Sequence, residues 1–190
     1  MTTISCSNGV AAFLDLIAAA EGTSTNAHTQ NDGYDVIVSG VDGAHTFSDY
    51  SIHPFSQGRA PILVREPKPA VYNTAAAIAA GGPEIIAPAE HPLYSTASGR
   101  YQITLGTWEE LTRIVRLGTF SPQSQDLGAI ELLRQKRALA PIADADIATA
   151  VERCCMTWAS FPGNSYGQGG RSLDWLQTTY ANMLTAILAR

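Results

Sequence analysis

Hydrophobic residues recur at helical spacing from Val10 to Glu21, with Phe13, Ile17 and then Ala20 or Glu21 on one stripe. The pattern predicts a helix that buries this stripe and points Asp15 the other way. Gly22 and the polar run Thr23 to Gly33 stop it. Tyr34 to Gly40 and Thr46 to Ser51 then carry the β-branched and aromatic content of two short antiparallel strands, joined by a turn rich in Gly, Asp and His. Beyond Phe55 the periodicity lapses. Prolines 61, 67, 69, 83, 88 and 92 punctuate the segment to Ser95, and an alanine-rich run from Val71 to Ala80 leaves room for one short helix. This stretch of about 55–95 is predicted to be an inserted excursion, either simply exposed or a lid over a groove.

The remainder is helical. Thr107-Trp-Glu-Glu110 has the form of a capping box and predicts a helix to about Leu117. Ser121-Pro122 supplies a cap and an N1 proline for a helix to about Ala138. Asp144 or Asp146 would cap the next, running through Val151 and Cys155 toward Trp158. A final amphipathic helix starts at Ser172 and carries Leu173, Leu176, Tyr180, Leu184 and Ile187. Strands early, with helices before and after, predict a single α+β domain that is mostly α over 1–190.

Composition narrows the partners. The chain has 190 residues, 45% of them hydrophobic, and a net charge of −5 without any basic run, which argues against a nucleic-acid surface. No apolar stretch reaches the roughly 20 residues that span a bilayer, and the N-terminus lacks the basic start of an export signal. The cysteines are Cys6, Cys154 and Cys155. Their spacing suits no metal site, and core packing is expected, the alternative being a disulfide from Cys6 to one of the pair. His28, His45, His53 and His91 form no zinc pattern, and Asn31-Asp-Gly-Tyr-Asp35 lacks calcium-loop spacing, so no metal and no cofactor are predicted.

Glu21 is the chemical anomaly. A carboxylate on a buried stripe costs several kcal/mol, roughly, unless it is hydrogen-bonded or protonated, and a protonated one is an acid ready to donate. Glu21-Gly22-Thr23, Ser98-Gly-Arg-Tyr-Gln102 and Tyr166-Gly-Gln168 each set glycine beside hydrogen-bonding or aromatic side chains, the chemistry of a carbohydrate groove.

Six blocks in order carry a resemblance: AFLDLIAAAEGT (Ala12 to Thr23), NDGYDVIVSG (Asn31 to Gly40), FSDYSIHP (Phe47 to Pro54), SGRYQI (Ser98 to Ile103), FSPQSQD (Phe120 to Asp126) and WASFPGNSYGQ (Trp158 to Gln168). With these the sequence resembles the lambda-type phage endolysins, lytic transglycosylases of glycoside hydrolase family 104. The resemblance implies a lysozyme-like fold with a small β-hairpin lobe, a cleft between two lobes, and cleavage of the β-1,4 bond between N-acetylmuramic acid (MurNAc) and N-acetylglucosamine (GlcNAc) in peptidoglycan. It makes Glu21 the single catalytic carboxylate. It also implies sugar contacts from Gln102, Tyr166 and Gln168, and His53 as the His-Pro of a family block. Arg100 and Tyr101 are expected either at the substrate or as structural residues, the arginine tying the lobes to an acidic partner. Asp49, with Tyr50 and Ser51, is expected on the groove wall.

Three readings follow. The first is the transglycosylase; the second is a hydrolytic muramidase, which needs a second carboxylate, Asp35 or Asp49; the third is a peptidoglycan-binding or tail-associated structural module. Trp108 and Trp158 are expected in the core. A monomer is the default expectation, and the resemblance further implies a protein held in the host cytoplasm until a holin releases it to the periplasm and wall. In the relatives the passage between the His-Pro and Gly-Arg-Tyr-Gln blocks contributes a loop that can close over the glycan, and here that passage is far longer.

Overall fold

The computed structural model describes residues 2–164 and 170–190. In chain order these form α1 (Asn8–Ala20), β1 (Val36–Gly40), β2 (Gly43–Thr46), β3 (Ile62–Arg65), β4 (Val71–Tyr72), α2 (Ala75–Ala79), β5 (Ile85–Ala87), β6 (Leu93–Ser95), α3 (Leu105–Val115), α4 (Pro122–Gln135), α5 (Leu139–Ala143), α6 (Ile147–Cys154) and α7 (Leu173–Leu188). This is an α+β, mostly helical architecture with small antiparallel sheets.

The middle of α1 is buried on every side rather than along one stripe. Phe13, Leu14, Leu16, Ile17 and Ala18 are all fully covered, and α7, α5 and α4 pack around them. Each of the larger aliphatic side chains contributes about 1.5–3 kcal/mol by leaving water. Phe13 meets Phe161 and Tyr180 edge-on, at 6.1 and 6.3 Å between ring centroids. A central helix has no outward face, so Asp15 does not point to solvent as its spacing suggested; it is buried against Arg100.

The helix ends in a Schellman arrangement. Gly22 takes the left-handed conformation, its N–H bonds Ala19 O, and the Thr23 N–H bonds Ala18 O. Glu21 is therefore the C-cap residue, its backbone fixed by hydrogen bonds on both sides.

The caps at Ser121 and Ser172 are where the sequence puts them, and of Asp144 and Asp146 it is Asp146 that caps α6, each side chain accepting from an amide three residues on. The cap of α3 is Thr104 rather than Thr107: the Thr104 hydroxyl accepts from the Thr107 N–H, so the helix begins three residues earlier. The helix expected to reach Ala138 stops at Gln135, and α5 follows as a separate turn. The first hairpin is also shifted, because the Val41-Asp42 turn, followed by Gly43 at positive φ, brings the second strand forward to 43–46. Phe47 to Ser51 is irregular; Phe47 turns its ring toward Phe120, 5.8 Å away, and the Phe120 N–H bonds Tyr50 O.

Residues 62–95 form a nested antiparallel arm. Its stem is β3 paired with β6, its outer part is β4 paired with β5, and Lys68 bridges Glu90 between them. α2 lies between β4 and β5, shorter than the alanine run suggested because Val71 and Tyr72 are spent on a strand. The stem sits beside β1, where the Val41 N–H bonds Leu63 O at 2.9 Å. All three cysteines are free, and burial pushes the Cys154 thiol up to about 12. Trp108 and Trp158 are buried, as expected.

Candidate active site

The turn 98–103 is pinned on several sides. Ser98 and Ile103 exchange both backbone bonds at 3.0 Å, and the Gly99 N–H bonds Val36 O at 2.7 Å. The Arg100 N–H bonds Gln125 Oε1 at 2.9 Å. Gln125, fully buried, also donates to Tyr34 O and Phe120 O, so one amide of α4 joins the loops before β1 and before α4 to this turn. Gly99 has φ +76°, and a Cβ there would lie 2.1 Å from Gln125 Oε1. Gly99→Ala is expected to lower stability by about 2–4 kcal/mol, combining overpacking with the left-handed backbone. Urea unfolding checks this; a loss below about 0.5 kcal/mol would mean that Gln125 swings aside freely.

Arg100 is only 2% exposed. Its guanidinium pairs with Asp15 at 2.8 Å and Asp32 at 2.9 Å, and stacks over the Tyr34 ring. Tyr101 is also buried, and its hydroxyl shares Asp126 Oδ1 with that of Tyr34, at 2.6 and 2.7 Å. Burial and the Asp126 charge drive both phenol pKa values upward, keeping them neutral donors. Both side chains are thus occupied inside the protein. The tying role expected of Arg100 is the one the geometry gives, and neither residue is placed to grip a sugar.

The third residue of the turn does face a cleft. Glu21 and Gln102 line the same open cavity of about 280 Å³, with Thr104, Thr157 and Trp158 on the helical side and Val38 on the hairpin side. A second depression of about 360 Å³ adjoins it and shares Gln102, Thr104, Thr157 and Trp158, so the surface is a groove rather than a pit. Gln102, at φ +49°, returns its side-chain N–H to Gly99 O at 3.0 Å. Thr23 ties the Glu21 turn to this one, its hydroxyl bonding Arg100 O at 2.6 Å.

Glu21 is held by Ser160, a residue inside the WASFPG block whose role no local sequence signal marks. Its hydroxyl donates to Glu21 Oε1 at 2.7 Å, and its N–H approaches the same oxygen at 3.4 Å. Trp158 fixes this segment by donating Nε1–H to Tyr101 O at 3.0 Å. Burial raises the Glu21 pKa, and the two Ser160 bonds only partly offset it by favouring the charged form.

The other candidates lie apart from this groove. Asp35 accepts from the Thr29 hydroxyl and, at 2.8 Å, from the Gln30 N–H; it is buried beside a different depression with Tyr50. Asp49 is exposed and accepts from the Ser51 N–H at 2.8 Å, and the Ser51 hydroxyl first, then this N–H, lower its pKa. Tyr50 accepts from Asn31 Nδ2 at 2.9 Å, while Ser51 borders a third depression beside His53 and Trp108. The expected groove wall of Asp49, Tyr50 and Ser51 is therefore not the wall of the Glu21 cleft, because the segment after β2 turns inward toward Phe120. Tyr166 and Gln168 lie outside the described residues. His53 is buried with its Nε2 3.0 Å from Ile103 O, and burial lowers its pKa. Among the described residues no group of three His, Cys, Asp or Glu could hold a metal ion, and no helix is long and apolar enough to cross a membrane.

Residues 11–187 match the endolysin family. The endolysin of Escherichia phage P2 is 41% identical over 182 residues, covering 95% of either chain. That of Escherichia phage lambda is 36% identical over 166 residues, covering 87% of this chain and 84% of its own. Among solved structures, bacteriophage lambda lysozyme complexed with a chitohexasaccharide superimposes with a TM-score of 0.70 at 32% identity, over 95% of this chain and 97% of that one. A half-buried glutamate capping a central helix, sharing an open groove with a glutamine in a lysozyme-like fold, thus coincides with relatedness along nearly the whole sequence: the chain belongs to the endolysin family.

Proposed function

We propose that this protein is a lytic transglycosylase that cuts the β-1,4 bond between MurNAc and GlcNAc in bacterial peptidoglycan. The observation that carries the reading is that Glu21 is the sole acidic residue among the described residues lining the cavity of about 280 Å³, with its pKa raised by burial, while the exposed Glu110 borders only the adjoining depression. A neutral Glu21 donates its proton to the glycosidic oxygen as the bond to C1 breaks. The resulting carboxylate takes the proton of the MurNAc C6 hydroxyl, whose oxygen attacks C1 and closes a 1,6-anhydro ring. No water is consumed, and Glu21 ends protonated again. Ser160 orients the carboxyl through Oε1, and Gln102 offers an amide to a sugar hydroxyl or acetamido group.

Hydrolysis by two carboxylates would need the second within about 5–9.5 Å across the scissile bond. Asp35 is committed to its own loop and Asp49 to its own turn, and neither lines the cleft, which favours the single-carboxylate scheme. The adjoining depressions suit a polymer crossing the surface, and the lambda relative was solved with a chitohexasaccharide. The enzyme would work as a monomer, kept in the host cytoplasm until a holin-type pore gives it access to the wall.

Mass spectrometry of soluble muropeptides released from purified peptidoglycan tests the scheme. Products lighter by one water and resistant to borohydride reduction are expected. Reducible muramic acid ends would establish hydrolysis instead. Release of nothing, alongside retention on insoluble wall, would leave a binding module.

A further inference from the structure

The two sides of the Glu21 cleft differ in chemistry. The helical side presents Glu21, Gln102, Thr104 and Thr157 beside Trp158 and Ala159, whereas the hairpin side presents Val38 from β1, Val64 from β3, and Leu93 and Tyr94 from β6, with Ser95 as its one polar residue among those described. Tyr94 is 57% exposed, unusually open for a large aromatic residue in a strand. It is cross-strand partner to Leu63, and no hydrogen bond of its hydroxyl and no ring contact is found among the described residues. Its position is nevertheless fixed, since the stem is paired on one side by β3–β6 and held to the first hairpin through Val41 and Leu63.

Pyranose rings are two-faced in the same sense: their axial C–H bonds make an apolar face, while hydroxyl and acetamido groups project around the edge. An aromatic plane in the same cleft as an amide and hydroxyls, here Gln102, Thr104 and Thr157, receives such a ring with both halves satisfied. We propose that Tyr94 is the platform on which one sugar of the bound glycan stacks, so that the stem of the 62–95 arm forms one wall of the substrate cleft. This rests on the reading of the Glu21 cleft as a glycan site. Tyr94 binds and positions; it transfers no proton.

The test is calorimetric titration with the GlcNAc hexamer, in the full-length chain carrying Glu21→Gln so that the ligand is not consumed. Tyr94→Leu keeps apolar bulk but removes the flat face, and is expected to weaken Kd about tenfold. Tyr94→Phe and Tyr94→Trp keep the face and are expected to bind within about twofold of the parent. At this exposed site all three should keep the parent's melting temperature closely enough to separate binding from folding. Unchanged binding by Tyr94→Leu, or a loss in Tyr94→Phe equal to that in Tyr94→Leu, overturns the platform while leaving the cleft a glycan site. If the parent fails to bind the hexamer, the platform is overturned as well, and muropeptide release by the wild-type chain then shows whether the cleft reading survives.

Discussion

Glu21→Gln is expected to lower wall clearing at least about a thousandfold while raising the melting temperature at neutral pH. The activity loss is large because one carboxyl serves both as donor to the leaving oxygen and as acceptor from the C6 hydroxyl, and general acid–base help is worth about a hundredfold to ten-thousandfold. The amide keeps the shape of the side chain and can still accept from the Ser160 hydroxyl, so folding has no reason to fail. The stability gain follows from the direction of the pKa shift. Since burial raises the Glu21 value above the ordinary 4.5, the folded state holds its proton to higher pH than the unfolded chain. Stability from this group is therefore full below pH 4.5 and declines as pH rises through the raised value. The advantage of the glutamine variant should vanish in acid and appear in full above that value. Wild-type turnover should fall across the same interval as the acid loses its proton. Scanning calorimetry of both proteins between pH 4 and 8, with clearing assays in parallel, measures both effects. A variant that melts several degrees lower would make Glu21 the partner of a buried cation and remove it from the chemistry.

Arg100→Ala should be the most damaging single substitution outside the cleft, costing about 3–5 kcal/mol. It strands the Asp15 carboxylate inside the protein and removes the bond to Asp32, leaving α1 and the loop before β1 without their common cation. Against a total stability of about 5–15 kcal/mol, that loss brings the chain close to unfolding at physiological temperature. Arg100→Lys should recover little, because a single ammonium cannot replace a planar fork that spans two carboxylates and stacks on Tyr34. Pairing Asp15→Leu with Arg100→Met should restore most of the loss, since no charge is then left unpaired. Urea unfolding of the two single variants and the double variant gives the coupling directly. A cost under about 1 kcal/mol for Arg100→Ala would mean that water reaches Asp15 and screens it.

The sequence made some of this legible because the signals were local. Ser121-Pro122, Asp146 and Ser172 announce their helices through cap chemistry that needs only the following three residues. Glu21 stood out because a carboxylate interrupted an apolar stripe. Asp15 was misjudged by the same periodicity: a run such as FLDLIAAA, apolar on all sides, describes a helix at the centre of the protein, where every direction is inward. A carboxylate in such a helix calls for a buried cation, and Arg100 is among the few available. Ser160, Gln125 and Asp126 could not be assigned this way, since their roles rest on partners from about 25 to 140 positions away. The β-branched and aromatic content of 46–51 points to a strand there and so to a groove wall at Asp49, whereas the strand forms at 43–46. The strands that do form the apolar wall lie in the proline-punctuated stretch, where alternation is too short to register.

The nested build of the 62–95 arm has a consequence for how such a chain can change length. In an antiparallel hairpin, residues added at the end enter in pairs and leave the register at the base untouched. Growth or trimming beyond Glu66 and Glu90 therefore need not disturb Leu93, Tyr94 or the first hairpin. The exposed Gly81, where even an added Cβ would meet nothing, is accordingly a place to splice in foreign cargo, such as a reporter or a second wall-targeting module, at a distance in sequence from every residue that shapes the cleft.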